Sequence, residues 1–322
     1  MSRSALGKLL LCVLLCAWQG VFAQSFPAKP VRLIVPFPAG GGSDVVGRIL
    51  ALKLSDTLGQ QVVVDNRPGA GGSIGTEAAV RSAPDGYTLV LASTSEIAVN
   101  PAIYSKLSFD TLKDLTPVAM VATTPMVIIV APQLPVRTVA DFVALARTKQ
   151  GQLNVASAGN GSFTHLAGEF FRSLAGLKWT HVPYKGAPPA ITDLAAGRAD
   201  AMFSTLPAAM SFIRSSLVKP VAVSSPARVA TLPDIPTVIE SGVPYDAEYW
   251  YGIFVPSATP KDVVARLAQG IAQALAAQDT IDNLAKQGAS PARVAPEQFE
   301  AYVRAEHAKW GKVARDSGAR VD

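Results

Sequence analysis

The stretch Val31–Leu50, "VRLIVPFPAGGGSDVVGRIL", decides how the whole chain is read. A short apolar run over Val31–Val35 ends in prolines and three glycines. Val45, Ile49, Leu52 and Leu54 then follow at helical spacing over Asp44–Leu58. This is a buried strand turning directly into an amphipathic helix. Such a turn has two uses. It can be a tight connection in which Ser43 or Asp44 caps the helix. It can also offer the unpaired N–H groups of a helix start to an anion, with glycine letting the ligand onto the backbone.

The unit occurs twice. Leu153–Gly176, "LNVASAGNGSFTHLAGEFFRSLAG", is again strand, glycine turn and helix, with Ser162 and Thr164 as caps or contacts. Strand and helix patterns alternate around both copies. Val62–Val64, Tyr87–Ala92, Met126–Ala131, "KWTHVPY", "ADAMFST", "KPVAVSS" and "YWYGIFVP" read as strands. Thr76–Arg81, "RTVADFVALART", a short segment from Pro188 to Gly197, 261–287 and 296–315 read as helices. Alternation of this kind predicts an α/β fold with mostly parallel sheets flanked by helices. Residues 125–245 carry their own set of elements between two extended runs. The expected organisation is therefore one domain of 24–124 plus 246–322, a second of 125–245, and a ligand cleft at a hinge between them.

The first residues read differently. Arg3 and Lys8 precede an apolar run from Leu9 to Trp18, and Val21-Phe22-Ala23 supplies small residues for cleavage. This is the pattern of a secretory signal over 1–23 cut after Ala23, too short to span a bilayer. Both cysteines, Cys12 and Cys16, lie inside it and each follows a leucine, which argues against a lipoprotein. The exported chain then has no disulfide and holds its fold by burial alone. The formal charge of +5 includes Arg3 and Lys8, and the other basic residues are scattered. Nothing resembles a nucleic-acid footprint.

Catalytic motifs are weak. Gly71-Gly72-Ser73-Ile74-Gly75 fits G-x-S-x-G, and Asp193 or Asp200 with His307 would complete the chain order of a hydrolase. A secreted serine hydrolase using Ser73 is therefore the alternative reading. Against it, Asn66–Gly72 separate Ser73 from its strand, whereas a nucleophile elbow follows its strand directly. The dinucleotide fingerprint fails because Ile74 stands where its last glycine belongs. The histidines are His165, His181 and His307, with no HExxH, no cysteine after the signal and no Walker motif, so no metal or cofactor is expected.

Two helix starts facing one another could hold a carboxylate. Each charge-assisted hydrogen bond is worth roughly 1.5–3 kcal/mol, and micromolar affinity needs only about 8 kcal/mol. Ser93, Thr94, Ser95, Ser204 and Thr205 sit at strand ends, where α/β sheets present ligand contacts. Phe37 and Tyr249–Tyr251 could be apolar walls, although core packing is the simpler reading of Trp250 and Tyr251. His165, in the first turn after the second glycine loop, could line the cleft or lie on the helix surface. Replacing Gly41 or Gly159 by a β-branched residue is expected to block backbone approach and spare the fold.

The segments "KPVRLIVPFPAGGGSDVVGRIL", "VVVDNRPGAGGSIG", "DGYTLVLAS", "ASAGNGSFTHLAGEFF" and "VPYKGAPPAITDLAAGRADAMF", in order, resemble the substrate-binding receptors of tripartite tricarboxylate transporters, the Bug family. The resemblance runs over essentially all of 24–322. It implies a two-domain periplasmic binding protein, without catalysis, that closes on a small carboxylate. Delivery would be to membrane transport components or to a sensor, with a monomer as the simpler state. Carried onto this chain, the implied contacts are Phe37, Ala39, Gly41, Gly42 and Asp44 from the first loop and Ser157, Gly159, Asn160, Ser162 and His165 from the second. Ser93, Thr94 and Ser204 join them. Di- and tricarboxylates, acidic amino acids, aromatic acids and nicotinate-like acids all fit such a clamp. The loops offer no strong lysine or arginine for a second ligand carboxylate; Lys185 and Arg67 could meet one or could be surface or structural residues.

Overall fold

The computed structural model describes residues 26–292 and 294–321. The expected signal segment, its two cysteines and the expected cleavage after Ala23 lie outside them. In chain order the elements are β1 (Val31–Val35), α1 (Gly42–Leu58), β2 (Val62–Asn66), a 3-10 turn (Ala70–Gly72), α2 (Ser73–Val80) and β3 (Thr88–Ser93). A π-helical turn (Ser95–Val99), α3 (Asn100–Ile103), β4 (Leu115–Val130), α4 (Val139–Lys149), β5 (Asn154–Ser157), α5 (Phe163–Ala175) and β6 (Thr180–Pro183) follow. The rest are α6 (Ala187–Ala195), β7 (Ala201–Thr205), α7 (Leu206–Arg214), β8 (Lys219–Val223), a 3-10 turn (Ile239–Ser241), β9 (Glu248–Pro256), α8 (Lys261–Ala276), α9 (Gln278–Lys286), β10 (Ser290–Pro291) and α10 (Pro296–Ser317).

Two parallel trios make the architecture. β1 lies between β2 and β3, and β5 lies between β6 and β7. The strand order β2-β1-β3-β9-β4-β7-β5-β6 joins them through antiparallel β9 and β4. Each glycine turn therefore leaves the central strand of its trio, so the two turns hold equivalent places. Val31, Leu33, Ile34 and Val35 are all fully buried, as a strand covered on both faces requires.

β4 begins well before the expected Met126. Its first part pairs with β9 from Leu115 to Pro125, and its last part, Met126–Val130, pairs with β7 and β8. Two prolines hide this strand from a sequence reading. Pro117 sits beside a register shift and Pro125 at the hand-over between partners, the positions where a missing N–H is tolerated. The helical stretch expected over 261–287 is two helices, because Ala277 is extended (φ −71°, ψ 132°) and serves as the end of one and the cap of the next. α7 was not anticipated; Pro207 falls in its first turn. No helix among the described residues is long and apolar enough to cross a membrane.

Candidate functional site

The first turn is built to leave its helix start open. Gly40 has φ +77°, and the Gly41 N–H closes the turn on Pro38 O at 3.2 Å. Gly41 is the N-cap of α1 and brings no side-chain cap. The N–H groups of Gly42, Ser43 and Asp44 therefore have no intrahelical acceptor. The expectation that Ser43 or Asp44 caps the helix is not met, because both lie inside its first turn. Asp44 points back instead: its carboxylate accepts from Gly40 N–H and Arg48 Nε at 2.9 Å and from Asn66 Nδ2 at 3.0 Å. Burial would raise its pKa, but the Arg48, Gly40 and Asn66 bonds outweigh burial and hold it below the ordinary carboxylate range. Asp44 thus shapes the loop from behind rather than facing a cavity.

The second turn caps itself. Ser162 is the N-cap of α5, and its hydroxyl accepts from His165 N–H. Thr164 Oγ1 accepts from Ala158 N–H at 2.8 Å. Ser95 Oγ, reaching across from the end of β3, accepts from Phe163 N–H at 2.9 Å.

Between the two helix starts lies a gap of about 30 Å³, whose wall includes Gly41, Gly42, Ser43, Ser95, Ser162 and Thr164. That is room for one or two waters, or a group of similar size. β9 supplies its floor. Residues two apart share a face of a strand, so Tyr249 and Tyr251 line the gap while Trp250 packs against Phe254 and Phe299 behind. Tyr251 Oη is buried, with Thr205 beside it and no hydrogen bond of good geometry to any described residue. A buried donor left in this way costs about 1–3 kcal/mol, and here it faces the open helix start. The gap suits a small group with two acceptor atoms.

The gap adjoins a chamber of about 610 Å³, and Phe37 and Ala158 line both. Pro38, the Pro68–Gly72 loop, Tyr104, Gly159, Asn160 and Tyr184 form much of its wall. Lys185 is the charged side chain in that wall. Tyr104 Oη donates to Asn160 O at 3.0 Å, one of the contacts by which the two trios meet.

Of the residues singled out from sequence, Phe37, Gly41, Gly42, Gly159, Asn160 and Ser162 therefore meet around these two spaces. Ala39 is exposed at the tip of its loop, away from both. Ser157 is taken up by His181 Nε2 at 2.7 Å, Thr94 Oγ1 by Trp250 N–H at 3.1 Å, and Ser204 Oγ by Thr205 O at 3.2 Å. His165 stacks on His181 with ring centroids 3.9 Å apart, in the interior. Burial, helped by Arg172, pushes it down to about 4, so it is neutral. Ser93 lies one bond behind the gap, through Tyr249. Arg67 pairs with Asp65 outside the chamber. Ser73 opens α2 and accepts from Asn100 Nδ2 at 2.8 Å; no histidine among the described residues bonds to it. Thr164, Thr205 and Tyr251 also line the gap: Thr164 follows the second turn directly, whereas the pairing of β7 and β9 with β4 brings Thr205 and Tyr251 there from far along the chain. Among the described residues no group of three or more acidic, histidine or cysteine side chains could hold a metal.

Known proteins resemble this chain over most of its length. Residues 46–319 match the family described as "Tripartite tricarboxylate transporter family receptor". Protein BugT of Bordetella pertussis is 37% identical over 303 residues, covering 94% of this chain and 93% of that protein. A structure of an R. palustris protein with adipate superposes with TM-score 0.89 at 34% identity, over 92% of this chain and all of that one. MatC of Rhodopseudomonas palustris, solved with bound malate, gives TM-score 0.85 at 32% identity, over 89% and 99% of the two chains.

Proposed function

This chain belongs to the tripartite tricarboxylate transporter receptor family, and we propose that it is an exported receptor that captures a small carboxylate between its two glycine turns. In this reading 1–23 is removed, 24–124 with 246–322 forms one lobe and 125–245 the other, and the monomer closes around its ligand. Delivery is to the membrane components of a tripartite transporter or to a sensor. The observation that carries the reading is the uncapped start of α1 facing the unpartnered Tyr251 hydroxyl across the gap. A carboxylate oxygen satisfies that hydroxyl and takes backbone N–H groups at the positive end of a helix dipole, worth roughly 0.3–1 kcal/mol beyond the hydrogen bonds.

The body of the ligand extends past Phe37 into the chamber, which is of the size that takes small organic ligands. Lys185, exposed and without an ion-pair partner among the described residues, is placed to meet a second carboxylate. Replacing Lys185 by Met should weaken a dicarboxylate about tenfold and leave the matching monocarboxylate unchanged; equal effects on both would remove Lys185 from the site.

The direct test is thermal unfolding of residues 24–322 with a panel of acids and their neutral amides. A ligand at about 100 times its Kd adds roughly 2.7 kcal/mol, a shift of a few degrees. A shift with an acid and none with its amide is expected. Equal shifts with both, or none with any acid, would contradict the reading.

A further inference from the structure

Behind the gap lies a carboxyl group that the capture of an anion does not by itself require. Glu96 stands in the π-helical turn and is fully buried. Its Oε2 accepts from Ser93 N–H at 3.0 Å and bonds to the Ser93 hydroxyl. Its Oε1 lies against Gly72 and has no partner among the described residues. Ser93 Oγ is 2.5 Å from Tyr249 Oη, which lines the gap and reaches Ser95 Oγ at 3.2 Å. An unbroken chain of hydroxyls therefore joins Glu96 to the gap.

No cation offsets Glu96 among the described residues. β9 presents Tyr249 and Tyr251, whose hydroxyls burial holds neutral. α10 packs on the same turn, but its Glu306 is bonded to the indole N–H groups of Trp250 and Trp310, and the charge acting on its His307 is Asp110. α5 brings His165, which is neutral. A buried carboxylate without a counter-charge is strongly disfavoured, and burial, opposed by the Ser93 bonds, pushes Glu96 up to about 7.

The direction of the chain follows from where the proton can sit. On Oε1 it would have no acceptor, whereas on Oε2 it donates to Ser93 Oγ. Ser93 then donates to Tyr249, and with the Ser95 hydroxyl as a second donor to the same oxygen the Tyr249 proton is left for the gap. When Glu96 is ionised, Oε2 accepts a hydrogen bond from the Ser93 hydroxyl, Ser93 Oγ accepts from Tyr249, and the last donor turns away from the gap. We propose that Glu96 is a proton-linked positioning residue, whose protonated form aims the Tyr249 hydroxyl at the bound carboxylate so that capture of the anion holds a proton on Glu96. This rests on the receptor reading above.

The linkage has a definite sign. A bound anion disfavours ionised Glu96 further, so affinity is constant at low pH. It falls about tenfold per pH unit once pH passes the free protein's value. In the free protein the same shift makes stability fall as pH rises from 4.5 to about 7.

The test is calorimetric binding of adipate and of malate to the wild type, Glu96→Gln and Tyr249→Phe between about pH 5.5 and 8.5, in buffers of different ionisation enthalpy. The wild type should lose affinity above about pH 7 and take up as much as one proton on binding. Glu96→Gln should bind with a flat profile and no proton uptake. Tyr249→Phe should bind about tenfold more weakly at low pH, the loss of one hydrogen bond to a charged group, with a shallower slope. A flat wild-type profile, a Glu96→Gln profile that follows the wild type, or full low-pH affinity in Tyr249→Phe would overturn the relay alone. If neither acid binds, the same titrations are run with each acid that shifts the unfolding temperature; no shift from any acid of that panel would overturn the receptor reading and the relay with it.

Discussion

The two glycine turns leave the central strands of equivalent trios and look alike in sequence, yet they differ in what they leave free. At Ala39–Asp44 a glycine stands at the N-cap, so the helix start has no side chain to satisfy it. At Ser157–His165 a serine stands there, and Ser162 together with Ser95 from the other half takes up the first N–H groups. The strand–glycine–helix pattern is thus a scaffold, and the residue at the cap decides whether the helix start becomes a site. In the proposed site the first turn would supply backbone donors, and the second hydroxyls and a wall.

The glycines themselves divide in the same way. A Cβ on Gly42 would collide with Thr205 Oγ1 and lie 2.8 Å from Tyr251 Oη, both across the gap. Gly41, by contrast, has an ordinary φ of −75°, and a Cβ there would make one tight contact, 3.2 Å to Pro38 O of its own turn. Gly159 is needed for conformation: its φ is +122°, and a Cβ there would lie 2.8 Å from Tyr184 O. The sequence expectation that Gly41 and Gly159 would behave alike is therefore replaced by a sharper contrast.

The largest expected effect is at Gly42. Gly42→Val should abolish detectable acid binding, a loss of about 100-fold or more, and, because its Cβ meets Thr205 Oγ1 and Tyr251 Oη, should also cost roughly 1–3 kcal/mol of stability through overpacking, too little to account for the lost binding. A variant that still binds would break the comparison at its first term. Gly159→Val should cost roughly 1–3 kcal/mol of stability through backbone strain, readable as a midpoint shift in denaturant, with weaker binding only as a consequence. A variant of normal stability that has lost binding would mean that this turn, too, is a site of close approach. The smallest effect is at the cap. Ser162→Ala should lower stability by about 1 kcal/mol and change affinity less than Gly42→Val does by at least tenfold. A larger effect on binding than on stability would return the second turn to the role of donor.

Much of this was legible before any coordinates. The apolar runs at β1 and β5, their glycine turns and the helices after them are local signals, and the chain forms them where the pattern says. The Thr138 and Asp141 capping box at α4 is another. What was not legible depends on partners far along the chain. β4 passes through two prolines because β9, β7 and β8 hold it. Tyr249 and Tyr251 reach the gap because β9 pairs with β3 at Ser93. Asp44 looks like a ligand contact until Arg48 and Asn66 are seen to claim it. Ser157, Thr94, Ser204 and His165 stand at strand ends and helix starts, as a ligand contact would, but their side chains find protein partners or the interior first.

The central claim is that the start of α1 holds the anion. It is tested most directly by following the backbone amide resonances of the ¹⁵N-labelled protein while titrating an acid that stabilises it. The amide protons of Gly42, Ser43 and Asp44 should move downfield as they gain an acceptor, while His165, already bonded to Ser162, should move little. Downfield shifts confined to the second turn, or absent from Gly42–Asp44 at saturation, would contradict the account.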